Sequence, residues 1–94
     1  MSCGVVRTFH NNHNVKEEYF ALTDKIFGEY KSYWYNGSLR EKSYYVNGNK
    51  HGESYRYFAN GFLREFGIFK DGKLIYDEEY DYDGVTVLSR IDRT

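Results

Sequence analysis

The chain has no proline, one cysteine (Cys3), one methionine and only two alanines (Ala21, Ala59) in 94 residues. Each shortage excludes something. Without proline, every amide after the first residue is free to join a ladder. With so little alanine, the best helix former is scarce. A lone cysteine closes no internal disulfide, which suits a reducing, cytoplasmic setting. Neither sign of charge dominates, with 13 basic and 14 acidic residues and a net charge of −1. That argues against a polyanion binder working by bulk charge, because counterion release needs a basic excess. No apolar run approaches the roughly 20 residues of a helical membrane span. The start, Met1-Ser2-Cys3-Gly4, lacks the apolar stretch of a signal peptide.

What is present points to β structure. Eleven Tyr, seven Phe and one Trp make up 20% of the chain, which keeps a mean hydropathy of −0.79 from reading as disorder. Residues 1–94 make one domain.

An offset of 24 residues aligns the chain with itself. Gly4, Gly28 and Gly52 coincide, as do Phe9, Tyr33 and Tyr57, then Asn12, Asn36 and Asn60, then Val15, Leu39 and Leu63. Lys16-Glu17 falls on Arg40-Glu41 and Arg64-Glu65, and Tyr45 on Phe69. The units are about 4–27, 28–51 and 52–75, followed by a partial unit at 76–94. There Tyr80-x-x-Asp83-Gly84 echoes Tyr57-x-x-Asn60-Gly61 at an offset of 23. Asn36-Gly37, Asn47-Gly48, Asn60-Gly61, Asp71-Gly72 and Asp83-Gly84 are strong hairpin signals recurring every 11 to 13 residues. The expected fold is all-β: a single-layer antiparallel meander of about eight strands built from 24-residue hairpin repeats.

Turn choice sets the register. A three-residue loop with Gly37 in the left-handed region places Tyr33 opposite Leu39, Phe9 opposite Val15 and Tyr57 opposite Leu63. The repeated residues then meet in every unit, so this register is preferred. Strict alternation predicts one face carrying Tyr33, Leu39, Glu41, Tyr45, Tyr57, Leu63, Glu65 and Phe69. The other face would carry the variable Tyr30, Trp34, Arg40, Tyr44, Phe58, Arg64, Phe66 and Ile68. The missing residue in the last unit predicts a break in pairing between Lys73 and Tyr80.

The run from Phe27-Gly28-Glu29-Tyr30 through Trp34-Tyr35-Asn36-Gly37-Ser38-Leu39-Arg40-Glu41 to Tyr45-Val46-Asn47-Gly48-Asn49-Lys50-His51-Gly52-Glu53 resembles the MORN repeat (membrane occupation and recognition nexus), in its second type. The likeness is strong over 27–75, weaker over 4–26 and partial over 76–94. At the first unit His13 replaces the turn Gly, and Asp24 stands where Gly48 does. The resemblance implies an extended single-layer sheet with an aromatic groove, and an interaction module rather than an enzyme. It also implies scaffolding, protein binding, phospholipid head-group binding or, in some bacterial members, an antitoxin role. Short arrays of this kind occur in large DNA viruses, which extends the expected location to the virion or a membrane periphery. The family carries no catalytic residues to transfer.

Other chemistry finds little support. His10-x-x-His13 with Cys3 or His51 is a conceivable metal set, but both histidines fall at a hairpin end and no second pair follows. Asp81-x-Asp83-Gly84 faintly resembles a calcium loop, without the Glu such a loop needs at its end. No Gly-x-Ser-x-Gly places a nucleophile. No catalytic residue, metal or cofactor is expected. The serious candidates are Tyr30, Trp34, Arg40, Tyr44, Arg56, Phe58, Arg64 and Phe66, aromatics interleaved with arginine on an open sheet. Such a combination suits protein–protein hot spots or stacked bases. The net charge and the acidic run at 77–83 favour a protein over a nucleic acid. The expected function is a non-catalytic module binding a protein partner or itself, as a homodimer formed edge-to-edge, with edges near 4–9 and 85–91, or face-to-face. The alternative is a peripheral binder of anionic phospholipid head groups, weakened by the lack of a polybasic cluster.

Overall fold

Turn chemistry and the alternation of large and small side chains fold the chain into one antiparallel sheet. The computed structural model describes residues 3–94, Cys3 by its backbone alone, so Met1, Ser2 and the Cys3 thiol considered above lie outside the described residues. The strands are β1 (Cys3–Phe9), β2 (Val15–Leu22), β3 (Lys25–Tyr33), β4 (Leu39–Val46), β5 (Asn49–Lys50), β6 (Gly52–Tyr57), β7 (Leu63–Lys70), β8 (Lys73–Tyr80) and β9 (Val87–Asp92). They pair in chain order, with the short β5 and β6 both against β4. The sheet is a single layer measuring 44 × 36 × 12 Å.

Two kinds of turn alternate along it. At one end of the strands, Thr23-Asp24, Asn47-Gly48 and Asp71-Gly72 make two-residue turns with φ positive at both positions. At the other end, the three-residue loops have Gly37 at φ 92° and Gly61 at φ 94°, with His13 at φ 74° doing the same work in the first hairpin. Trp34 N–H bonds to Ser38 O and Gly37 N–H to Trp34 O, closing the loop in the preferred register. Tyr33 therefore faces Leu39, Phe9 faces Val15 and Tyr57 faces Leu63.

One position further along, every one of these hairpins slips. Ser32 pairs with Glu41, so Arg40 is a bulge residue, and Lys16, Arg64 and Leu88 are its counterparts. The other turns have their own irregularity. Two extra residues sit between Ile26 and Tyr30 and again between Lys50 and Tyr55. In the third case only Ile75 is extra, between the pairs Phe69–Leu74 and Ile68–Tyr76. The residue missing from the last unit is thus absorbed within 73–80, as an irregularity at Ile75 rather than an interruption of β8. The final loop is one residue longer, since Tyr80 faces Val87 across seven positions where Tyr57 faces Leu63 across six. This restores the 24-residue offset.

No hydrophobic side chain is buried among the described residues. The buried side chains are Ser32, Ser43, Ser54 and Asp77, on one face. Ser43 and Ser54 lie side by side with their hydroxyl oxygens 2.7 Å apart, in a row continued by Gly67 and Asp77. Small residues fill the middle of this face, and the large side chains beside them close over the row.

Candidate interaction surface

The bulge at Arg40 decides which candidates share a face. Side chains alternate along a regular strand, and directly paired residues lie on the same side. Ser32 and Glu41 share the serine face, so Tyr33 and Leu39 point to the opposite one. The strict alternation expected for Tyr33, Leu39, Glu41 and Tyr45 therefore fails, and likewise Tyr57 and Leu63 part from Glu65 and Phe69. An extra residue reverses parity, and four hairpins repeat the reversal. Of the eight candidates, Tyr30, Trp34, Arg56 and Phe58 belong to the serine face, and Arg40 and Arg64 stack on two of those rings. Tyr44 and Phe66 lie on the opposite face, paired with Glu29 and Tyr55. They do not form one site.

Tyr30 is built into the sheet. Its ring stacks on Tyr19 at 5.7 Å and meets the Tyr45 edge at 5.8 Å. Its hydroxyl donates to Glu17 Oε2 at 2.6 Å. Burial, reinforced by that bond, holds the phenol well above the usual range. Glu41 next to it accepts from Lys50 Nζ at 2.8 Å and from Ser43 Oγ at 2.7 Å. Burial pushes the Glu41 carboxyl up, but these bonds outweigh it and hold the group below its usual value.

At the end of the serine face, Arg40 lies over Trp34 at 5.1 Å and Arg64 over Phe58 at 5.8 Å. Trp34, Arg40, Arg56, Tyr57 and Arg64 line a cleft of about 80 Å³. Arg56 is loosely held there by Glu41 and Glu65, at 3.9 and 3.7 Å. On the opposite face Tyr44 is exposed and borders a broader depression of about 430 Å³ with Lys42, His51, Glu53 and Tyr55. Phe66 packs between Tyr55 and Tyr76, at 5.2 and 6.4 Å. Glu78 below them accepts from Tyr76 and Tyr80, which holds its carboxyl low and raises both phenols.

His10 and Asp83, weighed above as metal ligands, have hydrogen-bond partners within the sheet and its loops. The His10 ring nitrogen Nε2 lies 2.9 Å from Tyr33 O. Asp83 accepts from Val85 N–H, Thr86 N–H and the Thr86 hydroxyl, so it caps its own loop. Among the described residues no three His, Cys, Asp or Glu side chains converge. Among the described residues, too, no helix is long and apolar enough to cross a membrane.

Sequence reasoning passed over the link between hairpins. Asn12 Nδ2 donates to Tyr35 O, Asn36 Nδ2 to Ala59 O and Asn60 Nδ2 to Tyr82 O, at 2.9, 3.3 and 3.2 Å. The repeated Asn was the available signal. No protein-family model, curated protein or solved structure matches the chain.

Proposed function

We propose that the chain is a non-catalytic interaction module of the MORN-repeat kind, binding a protein partner or a second copy of itself. One observation carries this reading. The sheet is a single layer that buries no hydrophobic side chain among its described residues, while Tyr44, Tyr82, Val85 and Leu88 stand exposed. Burying apolar surface is worth roughly 25 cal/mol per Å², so an open aromatic sheet gains from a partner that covers it. Exposed tyrosines on a rigid scaffold also cost little side-chain entropy on binding.

The test is capture of partners by the full chain beside a Tyr44→Asp variant, read by mass spectrometry and confirmed with each purified partner. Saturable binding of a purified protein, weakened by the variant, is expected. Sedimentation with anionic vesicles in place of any protein complex would replace this reading with the lipid one.

A further inference from the structure

The bulge positions carry a pattern of their own. Lys16, Arg40 and Arg64 recur one residue before Glu17, Glu41 and Glu65, each at the bulge of its hairpin. Among the described residues, Arg7, Arg56, Arg90 and Arg93 each have a carboxylate partner. Arg40 and Arg64 have an aromatic face instead. Trp34 is itself anchored, its Nε1 donating to Tyr57 O at 3.1 Å, as His10 holds to Tyr33 O in the hairpin before, and Phe58 meets the Tyr82 ring edge-on at 5.0 Å. A guanidinium lying on a ring keeps its N–H edge free for a planar oxyanion.

Spacing narrows the ligand. Equivalent positions in successive hairpins are two strands apart, or about 9.5 Å. A polypeptide in the extended polyproline II conformation rises about 3.1 Å per residue with three residues per turn, so every third side chain faces the same way at that step. A nucleic-acid strand, at about 3.4 Å of helix axis per phosphate in a duplex, is disfavoured instead by the net charge of −1, which offers no basic excess for counterion release. The pattern ends at the last hairpin, where Asp81 takes the place of Trp34 and Phe58, and Leu88 that of the cation.

We propose that this cation–aromatic stripe binds an extended acidic protein segment, with carboxylates three residues apart landing on Arg40 and Arg64 and a third reaching Lys16. The proposal rests on the interaction-module reading and names the chemistry of its partner. Arg56, between the two stacked arginines, lends charge to the same cleft.

The experiment is fluorescence anisotropy of the full chain with a labelled synthetic peptide bearing glutamate at every third position between serines. A glutamine version of that peptide, phosphatidylserine vesicles and an oligothymidylate serve as the other arms. Saturable, salt-sensitive binding of the glutamate peptide is expected, roughly tenfold weaker in Arg40→Gln and in Arg64→Gln. Arg40→Lys, which keeps the charge and loses the fork, should fall between, and Arg90→Gln should bind as the parent does. Equal binding of the glutamine peptide, indifference to Arg40→Gln and Arg64→Gln, or tighter binding of the vesicles or the oligonucleotide would overturn the assignment. If the peptide fails while a purified protein partner still binds through Tyr44, the module reading survives and only the stripe is lost.

Discussion

Asn36 does two jobs with one amide. Its oxygen accepts from Ser38 N–H at 2.9 Å, capping its own loop, and its nitrogen donates to Ala59 O in the next hairpin. Asn12 and Asn60 repeat both bonds. In the fourth hairpin, the last among the described residues, the residue is Asp83, whose carboxylate can only accept. Glu41 shows a different economy. Ser43 gives its proton to Glu41, so the Ser54 hydroxyl must donate to Ser43, and the buried row ends on a carboxylate. Because its folded carboxyl titrates below the usual 4.5, ionised Glu41 contributes stability at neutral pH that is lost as pH falls through the lowered value. Glu41→Gln should therefore cost about 1 kcal/mol at pH 7. That cost should vanish under acid conditions where the parent carboxylate is protonated. Urea titrations of parent and variant across that range check the sign; a difference that grows on acidification would refute it.

At the scale of elements, the loops separate what the backbone requires from what the repeat merely prefers. His13 at φ 74° occupies the position that Gly37 and Gly61 hold in the next two hairpins. A left-handed conformation costs a residue with a Cβ roughly 1–2 kcal/mol. His13→Gly should accordingly stabilise the chain by about 1 kcal/mol, after the entropy glycine adds to the unfolded state. A thermal melt showing no gain, or a loss, would mean that the loop holds the histidine for another reason. The turns and the hairpin register were legible because Asn-Gly pairs and Gly at fixed offsets state their geometry locally. The bulge at Arg40 was not. Leu39, Glu41, Ser43 and Tyr45 alternate smoothly in the sequence, and only pairing with Ser32 and Tyr33 reveals the extra residue. That one residue put Tyr44 on the face away from Tyr30 and Trp34, and its counterpart Arg64 did the same to Phe66 relative to Phe58. The same feature explains why Lys16, Arg40 and Arg64 repeat. It frees each basic side chain from the ladder and places it at the hairpin end.

For the whole molecule, the problem is two open edges on a sheet without a second layer. β1 and β9 are the outermost strands. Unpaired edges recruit partners unless charge or cover prevents it. Three hairpins place a cation at the bulge, but the fourth has Leu88, 60% exposed, beside exposed Val85, Val87 and Ile91. At its bulge the C-terminal edge thus presents apolar surface where the other hairpins present a cation, and its charges lie further along β9, at Arg90 and Asp92. Two copies meeting through β9 would extend the antiparallel sheet and bring partner side chains beside Val87, Leu88 and Ile91. The chain is expected to be a homodimer joined at this edge, with a melting temperature that rises with protein concentration. Leu88→Lys restores the pattern of the other hairpins at a largely exposed site, so the fold should persist while the dimer dissociates. Light scattering should report about twice 11.2 kDa for the parent and a single chain for the variant. A parent that stays monomeric at high concentration, or a variant that dimerises as before, would place the covered surface elsewhere.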